Sequence, residues 1–331
     1  MTSLFGFVPK GVTDLYGEDI EFKEQILWKL KTLFRNHGYK PVEPPAFEYY
    51  DLFSKIQGSL EMDQMVKVID TDGKILVLRP DATIPIARMA AARFKDARGP
   101  QKFSYVTHIF QMNDDAKDIC SREVTQAGIE LFDRGGVASD VEVISLAIES
   151  LKLVGLDDFT LDVGQANFYK TLIGQIHLSK EEIRHLQKLI ADKNVAELKR
   201  KTEDLAIPDE YKKALFALPT LFGDPERVFK KALAMAVNEE LKAEIAYLQD
   251  VFTELAKLGY EKYLSVDLGL INRLNYYTKI LFQGYIPGYG KPVLLGGRYD
   301  DLPKQFGCDA RATGFAVYVD DFIAALNGRK R

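Results

Sequence analysis

Cysteine and histidine are scarce, with two of the first and four of the second in 331 residues. Cys120 and Cys308 lie far apart and near none of His37, His108, His177 and His185, so the chain offers neither a disulfide framework nor a metal-ligand spacing. Long apolar runs are missing as well. Nothing approaches the ~18 residues of a membrane span, and the opening MTSLFGFVPKG lacks the charged and apolar blocks of a secretory signal. Basic excess is also absent: 44 Lys+Arg against 48 Asp+Glu leave a net charge of −4, with a pI of about 5.7. No global field therefore draws the chain to nucleic acid. The one dense basic cluster is the terminal Arg329-Lys330-Arg331. No GxxxxGK[ST] phosphate loop, G-x-S-x-G elbow or HExxH helix occurs. The expectation is a cytoplasmic protein with no metal, no cofactor, no membrane and no nucleic-acid partner.

What is there is ordinary globular material, 47% hydrophobic and 28% charged, in a chain longer than most single cores. Apolar side chains at Ile20, Ile26, Leu27, Leu30, Leu33 and Phe34 predict an amphipathic helix over 17–36, ended by His37-Gly38. The following YKPVEPPAFEYYDLF is predicted extended, because Pro44 and Pro45 lack the N–H that a helix interior requires. MVKVID and KILVLR read as a hairpin turning at Thr71-Asp72-Gly73, and residues 82–95 as a helix with Pro85 near its first turn. Two strands, about 102–113 and 122–133, flank the polar loop NDDAKDICS.

Side chains of a strand alternate between faces, so Arg122, Val124, Gln126, Gly128, Glu130 and Phe132 share one side of the second strand. Gln126 and Glu130, separated by a glycine that leaves a gap, fit either a lined cavity or a solvated face. Residues 139–154 return to helix and FTLDVG to strand. From about 165 to 260 the texture becomes Lys/Glu/Leu-rich and helical, opened by the capping box Ser179-x-x-Glu182. Strands resume at YLSVDLG, YYTKILFQGYI, KPVLLGG and RATGFAVYV, and Asp320-Asp321 open a last short helix. The organisation expected is an α+β core over 1–164 and 261–331, carrying a mainly helical insertion over 165–260.

Three separated stretches carry a resemblance. They are GVTDLYGEDI…FRNHGYKPVEPPAFEYYDLF; VLRPDATIPIAR with the strand pair ending REVTQAGIELF; and LNYYTKILF…LLGGRYDDLPKQFG…ATGFAV. In order and spacing they resemble a class II aminoacyl-tRNA synthetase core, specifically the histidyl family, over about residues 8–325. The resemblance implies an antiparallel sheet flanked by helices and a histidine pocket at Asp81, Thr83, Gln126, Glu130, Arg273, Tyr276, Tyr277 and Tyr299. In that pocket a carboxylate pairs with the α-ammonium, Gln126 and Thr83 hydrogen-bond, and tyrosines with an acid hold the imidazole nitrogens. Glu130 is the carboxylate expected at the ammonium. Asp81 stands where the family has a glutamate and is shorter by one methylene.

The family's ATP-binding positions depart from the pattern. Gln111 replaces an arginine, Asn113 a glutamate and Val124 the aromatic that stacks on adenine. Asn272 stands where an arginine precedes the histidyl loop, with Arg273 one place away, and Asp320-Asp321 replace Glu-Arg. Reversing one such charge against a phosphate at ~4 Å changes the interaction by roughly 8 kcal/mol at an effective dielectric near 20. Only about ten residues follow Asp321, too few for the family's anticodon-binding domain. A synthetase core without these parts resembles the regulatory subunits of short-form ATP phosphoribosyltransferase. That resemblance implies a chain with no catalytic residues of its own, which dimerises through its core. It assembles with short catalytic subunits, typically as a hetero-octamer, and mediates feedback inhibition by L-histidine in histidine biosynthesis. Two alternatives remain open from the residues: an ATP-dependent amino-acid ligase using relocated cations such as Arg122, Arg273 or Arg311, and a scaffold that binds uncharged tRNA.

Overall fold

Ile26, Leu30 and Phe34 recur at helical spacing and bury one stripe of α1 (Glu18–Asn36). This is a computed structural model, and it describes residues 7–56, 62–94, 99–112, 121–271 and 276–329. After α1 come β1 (Lys40–Pro41), β2 (Phe47–Tyr49) and the one-turn helix α2 (Tyr50–Ser54). The extended stretch expected here thus ends early. Beyond the two prolines nothing bars helix, and α2 buries Phe53. The hairpin β3 (Lys67–Ile69) and β4 (Ile75–Leu78) turns at Asp72-Gly73 as expected, and β2 adds to β4 to make a three-stranded sheet. α3 (Thr83–Phe94) follows, then the long strands β5 (Gln101–Phe110) and β6 (Glu123–Asp133). The loop NDDAKDICS lies almost wholly outside the described residues.

α4 (Val137–Lys152) and β7 (Thr160–Gln165) lead into six helices: α5 (Ala166–Gly174), α6 (Lys180–Ala191), α7 (Val195–Asp204), α8 (Asp209–Ala217), α9 (Pro225–Met235) and α10 (Glu239–Lys257). Local chemistry sets their starts. Ser179 and Glu182 form the reciprocal capping box of α6, and Asn194, Asp224 and Asn238 cap α7, α9 and α10 through their side chains. Between α8 and α9 runs β8 (Phe222–Gly223). The chain closes with β9 (Leu264–Asp267), β10 (Ile280–Tyr285), β11 (Leu294–Arg298), α11 (Asp301–Gln305), β12 (Arg311–Tyr318) and α12 (Val319–Arg329).

Among the described residues, nine strands make the main sheet in the order β1-β5-β6-β12-β11-β10-β7-β9-β8. Most neighbours are antiparallel, but β1 with β5 and β7 with β9 run parallel, so the sheet is mixed rather than purely antiparallel. The physical reason is connection length. Parallel neighbours need a crossover of a dozen or more residues, and the whole helical stretch between β7 and β9 supplies one. One face of the sheet packs on α1, α4, α12 and the helices after β7 in a continuous apolar cluster. The opposite face, covered by α3 and α11, carries a second cluster rich in tyrosine. Lys193 reaches Asp267 at 2.8 Å and ties the helical stretch to β9. No helix among the described residues is long and apolar enough to cross a membrane.

Candidate functional site

The tyrosine-rich face is laid out by strand register. Glu130 lies opposite Gly314 and Phe103, Gly128 opposite Ala316 and Tyr105, and Gln126 opposite Tyr318 and Thr107. Directly opposed residues point to the same side of a sheet, so β6 and β12 form a floor with an acid at one end and an amide with a phenol at the other. Asp81 precedes α3 and takes the Ile84 N–H on Oδ1 at 2.8 Å; Thr83 opens the helix. Tyr276 and Tyr277 arrive just before β10, and Tyr299 just after β11.

These residues converge on a narrow cavity of about 20 Å³ lined by Asp81, Thr83, Gln126, Glu130, Tyr276, Tyr277 and Tyr299, together with Tyr105, Tyr318 and the floor of β12. Such a volume holds about one water, so a ligand the size of an amino acid enters only as the walls part. Wider clefts exist elsewhere. One of about 570 Å³ runs along Pro44, Pro45 and Arg79. There the Arg79 guanidinium is spent on the carbonyls of Pro44, Pro45 and His108 and on the Thr107 hydroxyl, which makes it structural.

Glu130 is 1% exposed. Thr83 Oγ1 donates to its Oε1 at 2.7 Å, and the Tyr299 hydroxyl donates to its Oε2. Burial pushes the Glu130 carboxyl up to about 8; the two hydrogen bonds pull the other way and the charge of Asp81 adds to the rise. Burial likewise raises Asp81 to about 6, opposed by its bonds from Ile84 and from the Tyr276 hydroxyl, the latter at 3.4 Å. Among the described residues that line the cavity there is no Lys, Arg or His. Two carboxyl groups thus face one narrow slot with no cation in its described lining. Its walls are aromatic: Tyr276 and Tyr277 have ring centroids 5.0 Å apart, and Tyr276 meets Tyr299 edge to face at 5.7 Å.

A buried ion network positions Tyr299. Its neighbour Arg298, 1% exposed, pairs with Asp140 at 2.7 Å and with Asp300 at 3.1 Å. The Asp300 side chain accepts the Ala312 N–H, and Tyr299 N–H donates to the Ala312 carbonyl at 2.8 Å, so the phenol's own backbone and its neighbour's side chain both tie it to β12.

Of the expected pocket residues, Asp81, Thr83, Gln126, Glu130, Tyr276, Tyr277 and Tyr299 meet in this cavity; Arg273 lies outside the described residues. Of the altered nucleotide positions, Asn113 and Asn272 also lie outside them. Gln111 donates to the Pro80 carbonyl at 3.0 Å, and Val124 packs against the tyrosine-rich cluster. Asp320 accepts from Lys23 Nζ and from the Thr125 N–H, each at 2.7 Å, joining α1, β6 and α12. Asp321 accepts from the Tyr289 hydroxyl at 2.5 Å. Tyr105, Tyr318, Gly297 and Gly314 escaped the reading from sequence, whereas Gly128 was already legible as a gap between Gln126 and Glu130. Strand parity was the available signal, because Gly314, Ala316 and Tyr318 alternate with the core residues Phe315 and Val317. A methyl at Gly128 would lie 2.7 Å from the Tyr105 hydroxyl, and one at Gly297 2.6 Å from the Tyr277 ring.

The family model described as histidyl-tRNA synthetase matches residues 11–322. The chain is 38% identical over 311 residues to the ATP phosphoribosyltransferase regulatory subunit of Oceanobacillus iheyensis, covering 94% of this chain and 76% of that one. A crystal structure described as an ATP phosphoribosyltransferase regulatory subunit/histidyl-tRNA synthetase from Bacillus halodurans C is similar with a TM-score of 0.88 and 30% identity, over 97% of this chain and 83% of that one. A histidine–tRNA ligase subunit from Alicyclobacillus acidocaldarius is similar with a TM-score of 0.82 and 26% identity, over 99% of each chain. By sequence and by fold, this chain belongs to the histidyl-tRNA synthetase family and, within it, to the ATP phosphoribosyltransferase regulatory subunits.

Proposed function

We propose that the chain is the regulatory subunit of a two-component ATP phosphoribosyltransferase, that it holds histidine in the cavity between β6, β12 and α3, and that catalysis resides in a partner chain. The observation that carries the ligand is the pair of buried carboxyls without a cation in the described lining. Histidine brings two nitrogen-bearing groups to such a slot, an α-ammonium and an imidazole. The flat ring suits the deep end, between Tyr276, Tyr277 and Tyr299, with its N–H on Glu130. The ammonium then falls to Asp81, which reverses the expectation that Glu130 takes the ammonium. A nucleotide triphosphate fits badly, because Asp321 brings a negative charge to the first turn of α12 where the family's arginine would be.

The regulatory role is supported by the name of the relatives, and physically it requires that histidine bind one state of the assembly better than another. Homodimerisation through the core and a cytoplasmic location belong to the same reading. Calorimetry tests the site. Histidine binds the isolated chain and Glu130→Ala weakens it, while ATP gives no resolvable heat. ATP binding with no histidine binding overturns the assignment.

A further inference from the structure

Along β12 the floor of the cavity rises from no side chain at Gly314, through a methyl at Ala316, to a phenol at Tyr318. Only the last can obstruct a ligand lying along the strand. Gln126, its cross-strand partner on β6, lines the cavity beside it, so the amide and the phenol together close that end. The opposite end is closed by Glu130 with Tyr299 and Thr83. Asp81 lines the same cavity as both ends.

An amino acid in this slot has one orientation that avoids like charge. Its cationic nitrogens meet Asp81 and Glu130, and its α-carboxylate is driven toward the end where the polar groups are Gln126 and Tyr318, both able to donate. Beyond Tyr318, the carboxylate of Asp321 is held by the Tyr289 hydroxyl and opposes further negative charge. Resting on the histidine-pocket reading above, we propose that Tyr318 is a specificity-determining residue. Its hydroxyl donates to the ligand's free α-carboxylate, and its ring blocks any group attached to that carboxylate. The site therefore takes free amino acid and rejects esters, amides, peptides and acyl-phosphates of the same residue.

The test is calorimetric titration of the full chain and of Tyr318→Phe and Tyr318→Ala with L-histidine, L-histidinol and L-histidylglycine. The unmodified chain binds histidine at least about 100-fold more tightly than histidylglycine, because the dipeptide has no room beyond its first carbonyl. Tyr318→Phe weakens histidine about tenfold through loss of one charge-assisted hydrogen bond and leaves histidinol, which has no carboxylate, unchanged. Tyr318→Ala narrows the histidine-to-histidylglycine ratio to below about tenfold. A Phe variant that weakens histidine and histidinol equally, or neither, overturns the hydrogen bond. An Ala variant that binds histidine and rejects the dipeptide as before overturns the block. Absence of histidine binding to the unmodified chain overturns the pocket reading itself, and this inference with it.

Discussion

Glu130 and Gly314 are cross-strand partners, and the carboxylate of the first lies directly over the α-carbon of the second, so that a methyl group at 314 would overlap Glu130 Oε2. The bare backbone at this position leaves the room in which the acid accepts from both Thr83 and Tyr299. Gly314→Ala is therefore expected to displace Glu130, weaken histidine binding by at least about tenfold and lower stability by roughly 1–3 kcal/mol. Calorimetry and thermal unfolding check both. A variant with unchanged affinity contradicts the role given to this contact.

The two carboxyls also set a pH dependence. Burial raises Glu130 from 4.5 to about 8 and Asp81 from 3.8 to about 6. A folded-state carboxyl raised in this way keeps a proton that the unfolded chain has released, so its contribution is complete below the unfolded value and is lost as pH rises through the folded one. Without ligand, the melting temperature is expected to fall between about pH 5 and pH 8, and Glu130→Gln to flatten the upper part of that slope. Histidine binding runs the other way at Asp81. Its charge is needed for the ammonium, so affinity declines below about pH 6, and Asp81→Asn abolishes that decline along with most of the binding.

Arg298 with Asp140 gives a different signature. The pair is buried, and removing one partner leaves an uncompensated charge, so Asp140→Ala is expected to cost about 3–5 kcal/mol. Urea denaturation measures it. The loss is global, and excess histidine recovers only the part that ligand binding contributes by mass action.

Much of this fold can be read locally. Helical spacing at Ile26, Leu30 and Phe34, the Asp72-Gly73 turn and the reciprocal cap at Ser179 and Glu182 are decided by neighbours in the chain, and the structure has them where the sequence indicates. Strand alternation likewise brings Gln126 and Glu130 to one face. It could not tell a cavity from solvent, because that depends on α3 and on tyrosines more than a hundred residues away. Tyr318 and Gly314 acquire their meaning only from the register between β6 and β12, and the parallel edges only from where long connections return. The resemblance brought seven of its eight pocket positions to one cavity, with Arg273 outside the described residues. It did not indicate that the cavity is nearly shut, since side-chain packing across elements decides that.

The most direct test of a histidine-sensing, non-catalytic subunit is the phosphoribosyltransferase activity of a short-form catalytic subunit mixed with this chain, with and without L-histidine. The mixture is expected to be more active than the catalytic subunit alone and to be inhibited by histidine, and Glu130→Gln to keep the activation while losing most of the inhibition. Formation of histidyl-adenylate by the isolated chain, or a mixture no more active than the catalytic subunit by itself, would contradict that assignment.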